Sequence, residues 1–202
     1  MINRLGLPAV ISLAVLLMVF VWYAVSSGER APASTDAAPV MVPATTVTDY
    51  LHAVIEAERT FYTVHVVERL QKRGAIVASQ NWRTANTLPL PVQFLTEASE
   101  LATRTGSPVR YRLISQWAIN PENRPATDFE RAGWAAVLKE PEKPYARTVG
   151  DGKDRRFEAL YADRAVAQAC IGCHNAHPNS PKKDFRFGDI IGAMIISIPA
   201  AP

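Results

Sequence analysis

Apolar and polar positions follow three rhythms along this chain, and each predicts a different kind of element. The first is an unbroken run. Leu5 to Val25 is apolar except for Gly6, Pro8 and Ser12. A membrane-spanning helix needs ~20 such residues, whereas the apolar region of a cleaved signal peptide has roughly 7–15, so the length favours an uncleaved span. Trp22 and Tyr23 fall where an interfacial aromatic belt would lie, and Arg4 is the one charge ahead of the run, which favours a cytoplasmic N-terminus. A signal cut near Ala24-Val25-Ser26 is the rival reading. Both send everything after Ser27 across the membrane.

The second rhythm is helical. Thr46 to Arg73 contains no Gly or Pro and stops at Gly74, just after Lys72-Arg73. The 3.6-residue period places Val54, Phe61 and His65 on one face, with Ala57 and Glu58 nearby. His52, thirteen positions before His65, points elsewhere and is expected in solvent. After an irregular stretch anchored by Trp82, Leu88-Pro89-Leu90-Pro91 leads into a helix from Val92 to Arg104, closed by Gly106. Asp128 to Lys139 forms a third helix, with Phe129, Ala132, Ala136 and Val137 as its core positions. A brief helix covers Ala165 to Ala169.

The third rhythm has a period of two. Val109 to Ser115 alternates like a half-buried strand, and Tyr145–Val149 and Arg156–Tyr161 bracket the turn Gly150-Asp151-Gly152-Lys153. Ile190 to Ile198 is continuously apolar and β-branched, as in a central strand. Hairpin-paired strands between helices predict an α+β domain. The chain therefore divides into 1–27 as transmembrane anchor (or signal peptide), 28–45 as a linker rich in Pro and Ala, and 46–202 as one domain with room for a core.

Charge changes this picture little. The net charge is +3 and the basic residues are scattered, so no nucleic-acid footprint is present. Cysteine changes it most. The chain has 2 Cys, and both fall in Ala169-Cys170-Ile171-Gly172-Cys173-His174-Asn175. C-x-x-C-H is the attachment signature of a c-type haem: two thiols at this spacing reach the two vinyl groups along one haem edge, and the following histidine meets the iron. Three other readings compete. A thioredoxin-like dithiol needs a following helix, which Pro178 and Pro181 would end. A zinc site from Cys170, Cys173, His174 and His177 crowds four ligands into one short loop. A Cys170–Cys173 disulfide closes too small a loop to stabilise much. The pattern favours one covalent haem c per chain, attached at Cys170 and Cys173, with His174 on the iron. His65 is the candidate for the second axial position. Met194 reads as core, and His177 stands too close to His174 to reach the opposite face. Thioether attachment takes place outside the bacterial cytoplasm, so motif and anchor together predict a single-pass inner-membrane protein with a periplasmic C-terminal domain.

The ordered pieces carry a resemblance. Tyr62-Thr63-Val64-His65-Val66-Val67, Pro89-Leu90-Pro91-Val92-Gln93-Phe94, Asn120-Pro121-Glu122-Asn123-Arg124-Pro125 with Glu130 beyond, the cysteine motif, and Gly188-Asp189-Ile190-Ile191-Gly192-Ala193-Met194-Ile195-Ile196-Ser197-Ile198-Pro199 appear in this sequence. Over about residues 48–200 the chain resembles the haem-c-binding, PAS-like sensor domain family. The resemblance implies a PAS-like antiparallel sheet flanked by helices, a long N-terminal helix, and covalent haem c as the sensing group. It implies Cys170 and Cys173 as attachment residues and His174 as proximal ligand. A member of that family resembles this chain with a cysteine at the position of His65; with no third cysteine here, bis-histidine ligation is implied instead. The arginine common before the Asn-Pro step is Ile119 here, so a propionate partner would come from Arg110, Arg112, Lys182, Lys183 or Arg186.

The role expected is that of a redox or small-gas sensor, with a separate protein partner reading the long helix. A periplasmic electron carrier is the alternative. A peroxidase-like or nitrogen-oxide enzyme comes third, since Glu58 alone hints at a catalytic group, and no catalytic residue is assigned.

Overall fold

The computed structural model describes residues 17–23 and 41–200, and the chain divides into two compact units, Met1–Met41 and Val42–Pro202. In the first unit residues 17–23 are helical with exposed side chains. The rest of the Leu5–Val25 run and most of the expected linker lie outside the described residues. Among the described residues no helix is long and apolar enough to cross a membrane.

The second unit is α+β. Helix α1 (Ala44–Phe61) passes without a break into a π-helical segment (Tyr62–Glu68) and a last α turn (Arg69–Lys72). A short α2 (Trp82–Ala85) precedes α3 (Pro91–Arg104), which starts one residue before the expected Val92 because a proline suits the first helical position. Then come β1 (Arg110–Ile114), α4 (Asp128–Lys139), β2 (Tyr145–Val149), β3 (Arg156–Arg164), α5 (Gln168–Ala176) and β4 (Ile190–Pro199). The four strands form one antiparallel sheet in the order β1-β4-β3-β2, so the most apolar strand lies inside it, as its sequence requires.

Alternation along β4 builds two cores. Met194, Ile196 and Ile198 face Ile55 of α1 and Leu95 of α3. Ala193 and Ile195 face Phe129, Trp134 and Val137 of α4. In α4 the expected core positions Phe129 and Val137 are buried, but Ala132 is exposed; Gly133 and Trp134 take the sheet-facing places. Gly133 is needed there because a Cβ would stand 3.0 Å from both Leu160 Cδ1 and Tyr145 Cδ1. The helix starts on a capping box, with Thr127 Oγ1 accepting from the Glu130 N–H at 3.1 Å and Glu130 Oε2 accepting from the Thr127 N–H.

A third apolar cluster, Ala165, Phe185 and Ile191, lies under α5, with Trp117, Cys170 and Ile171 packed against it. The cysteine motif therefore rests on the end of the sheet.

Candidate functional site

The cysteine motif lies within a helix. The brief helix expected over Ala165 to Ala169 is corrected: α5 runs from Gln168 to Ala176 and holds all of Cys170, Cys173 and His174. The prolines act only downstream, where they end the helix before Pro178. On a helix, positions i, i+3 and i+4 are neighbours, so both thiols and the imidazole share one face. That is the arrangement the chemistry needs.

Each group has its own environment. Cys170 is half-buried against the third cluster, and burial pushes its thiol up. Cys173 is exposed, and neither cysteine forms a disulfide. His174 is half-buried, its ring edge-on to Phe185 with centroids 5.7 Å apart, and desolvation lowers its pKa, with His177 adding to the effect. His174 Nδ1 is buried without a hydrogen-bond partner. Asn175, next in sequence, anchors the loop that returns to β4: its Nδ2 donates to Phe185 O at 2.9 Å, and its Oδ1 accepts from the Phe185 N–H at 3.0 Å.

The competing readings fare poorly. Among the described residues no group of three His, Cys, Asp or Glu is gathered to hold a metal ion, so Cys170, Cys173, His174 and His177 do not converge as a zinc site. A reactive dithiol needs a thiolate stabilised by positive surroundings, whereas the Cys170 thiol is displaced upward.

His65 lies in the π segment, exposed, with its ring 4.9 Å from that of Phe61. Val54 and Phe61 share its exposed side, at 58% and 62% exposure, as the helical period predicted. The π segment packs against α5. His52 departs from expectation. It is half-buried, stacked on Tyr161 at 4.0 Å and 8°, and burial lowers its pKa against the pull of Glu56 and Asp49. The reason is its register: His52 falls beside Thr48 and Ile55 on the face turned to β3, where the Tyr161 ring provides a platform.

Three residues were missed by sequence reasoning. Arg59, on the buried face of α1, is 2% exposed and pairs with Asp163 of β3; its Nε donates to Glu56 at 3.0 Å, and its NH2 donates to Arg164 O at 3.2 Å. Burial would lower its pKa, but Asp163 and Glu56 outweigh that and hold it protonated, and the field of Cys170 also reaches it. Burial pushes the Asp163 carboxyl up to about 6 against the pull of Arg59. The third is Glu68, whose Oε2 accepts from the Ala169 N–H at 3.2 Å. A charge interrupting an otherwise buried stripe was the available signal for Arg59.

Of the basic residues named as propionate partners, Arg112 is committed to Glu130 at 2.7 Å, and Lys182 pairs with Asp184 over the Phe185 ring. Arg110 donates to Ser107 O at 3.1 Å on the exposed edge of β1, well apart in sequence from the motif.

A family model described as Tll0287-like matches residues 33–199, the stretch that carries the resemblance read from the sequence. The crystal structure described as that of the cyanobacterial heme-protein Tll0287 matches with a TM-score of 0.47 at 16% identity, covering 79% of this chain and 98% of that one. No curated protein matches the chain.

Proposed function

This chain belongs to the Tll0287-like family, and on that premise we propose that it is a c-type haem protein that senses redox state or a small gas outside the cytoplasm. The observation that carries the reading is α5 itself: two free thiols and an imidazole lie at i, i+3 and i+4 on one short helix, and the imidazole Nδ1 is buried and unpartnered. These residues fit the group. Cys170 and Cys173 would hold the haem through thioethers, His174 would ligate the iron from one side, and His65 would be the second ligand. A haem so held supplies an iron that changes oxidation state or binds a diatomic ligand.

The chain's own residues do the rest. Phe185 and Asn175 fix the orientation of His174. The Arg59–Asp163 pair fastens α1 to β3 beside Cys170, so the long helix cannot drift from the motif. Phe61 stands next to His65, on the exposed apolar side of α1 that Val54 continues, where a flat apolar ring would be covered. The apolar run at Leu5–Val25 supports a single membrane anchor, with this domain in the periplasm and a separate protein reading the long helix.

Maturing the full chain with the thioether-forming apparatus and recording optical and EPR spectra, ferric and ferrous, with and without CO, tests the reading. The expected result is covalent haem, lost in Cys170→Ser/Cys173→Ser, with a low-spin iron that turns high-spin in His65→Ala. Ready CO uptake by the wild-type chain would remove His65 as ligand and favour gas binding. A chain that never acquires covalent haem would overturn the proposal.

A further inference from the structure

The start of α5 has no cap of its own. Its N-cap residue, Ala167, has no side-chain acceptor, so the first-turn N–H groups need a partner from elsewhere. The structure gives that partner from another element. Glu68, the last residue of the π segment, places Oε2 3.2 Å from the Ala169 nitrogen and accepts its N–H, and the neighbouring Gln168 amide also helps hold this carboxyl below its ordinary value. The other oxygen pairs with Lys72 one turn on. The Glu68 side chain keeps 14% of its surface in solvent, against 65% for Lys72, so it is held between the two helices. Ala169 immediately precedes Cys170, and Glu68 comes three residues after His65.

We propose that Glu68 is a positioning residue: from the π segment of the long helix it caps the cysteine-bearing helix in trans, fixing the placement of Cys170, Cys173 and His174 relative to His65. The link to ligand geometry rests on the haem reading; the cap does not. A carboxylate suits this place because it accepts the first-turn N–H of Ala169 and opposes the positive end of the α5 dipole. The same contact is a mechanical joint. Displacement of α5 draws on the end of the π segment, and a change in the long helix bears on the motif.

Two measurements on the full chain test this. The first is hydrogen exchange at the Gln168 and Ala169 amides, with or without haem. Glu68→Ala should speed exchange there about tenfold, while Glu68→Gln, which keeps an acceptor, should restore most of the protection. Lys72→Met, which leaves the carboxylate in place, should change nothing at those amides. The second is EPR and potentiometric titration of the haem-loaded chain. Glu68→Ala should shift the low-spin g values. Glu68→Gln should keep them and raise the reduction potential, because removing a negative charge favours the less positive ferrous iron. Unchanged exchange at both amides in Glu68→Ala overturns the cap. Faster exchange with unchanged g values and potential overturns the positioning role and leaves a stabilising contact only. A chain that carries no haem overturns the reading above, and the exchange experiment still decides the cap.

Discussion

The two faces of the sheet are built on opposite terms. Beneath α4, Phe129, Trp134 and Val137 meet Leu160, Ala193 and Ile195, and the one buried charge, Glu130, is spent on capping its own helix and pairing with Arg112 at the rim. Beneath α1, the apolar cluster of Ile55, Tyr161 and Met194 is flanked by Thr48, Thr63, half-buried His52 and the buried Arg59–Asp163 pair. Desolvating two charges seldom adds stability over apolar packing of similar size, and such a pair is better understood as fixing one arrangement. Its place supports that view. It joins the long helix to the strand that leads into the cysteine motif, whereas the α4 face reaches the motif through apolar rings alone, Trp117 meeting Trp134 on one side and Phe185 on the other. One face is scaffold; the other aligns.

The largest effect should come from breaking that alignment. Arg59→Met leaves the Asp163 carboxyl buried without its partner and should cost about 3–5 kcal/mol of stability by urea unfolding. Arg59→Met combined with Asp163→Leu should recover most of this, and equal loss in single and double variants would remove the pair from its role. On the scaffold face, Val137→Ala should cost about 2 kcal/mol through lost burial and a cavity, and should leave the optical spectrum of the loaded protein unchanged. A spectral shift in Val137→Ala would mean that the two faces are not separate.

A smaller effect comes from pH. The Glu68 carboxyl is held below its ordinary value of 4.5, chiefly by the hydrogen bond from Lys72 and also by the Ala169 and Gln168 amides. Its stabilisation is thus present above that ordinary value and is lost as pH falls through the lower folded value. Urea midpoints measured from about pH 6 down to about pH 3 should fall less steeply in Glu68→Gln than in the wild-type chain. The smallest effect is expected at the exposed Arg104–Glu100 pair, 3.4 Å apart: Arg104→Ala should stay within about 0.5 kcal/mol.

Much of the fold was legible because the period of apolar residues is a local property. The strand Tyr145–Val149 and the helix Asp128–Lys139 have the bounds that the periods of their residues imply. The candidate site was legible where chemistry is written in nearly consecutive residues, as in Cys170, Cys173 and His174, which the structure gathers on one helix. What escaped depends on contacts across long stretches of chain. Arg59 meets Asp163 and Glu68 meets Ala169 about a hundred residues away; the local pattern can mark Arg59 as a charge out of place on its stripe, but it names neither partner. His52 was misplaced for the same reason: a helical period says which residues share a face, and only the sheet decides which face is covered.

The π segment also bears on how this chain tolerates changes of length. Ile55, Arg59, Thr63 and Val67 are all buried at a spacing of four. In an α-helix each such step drifts by about 40°, so the four would spiral off the sheet. The wider π turn takes up that drift by accommodating an extra residue. A one-residue deletion within 62–68 would then be absorbed by a return to α geometry, with Ile55 and Arg59 still in register. The same deletion within 49–56 has no such slack and would turn Arg59 away from Asp163. Length variation should therefore gather in the very turn that carries His65, and each such variant would present that position at a new angle to the motif.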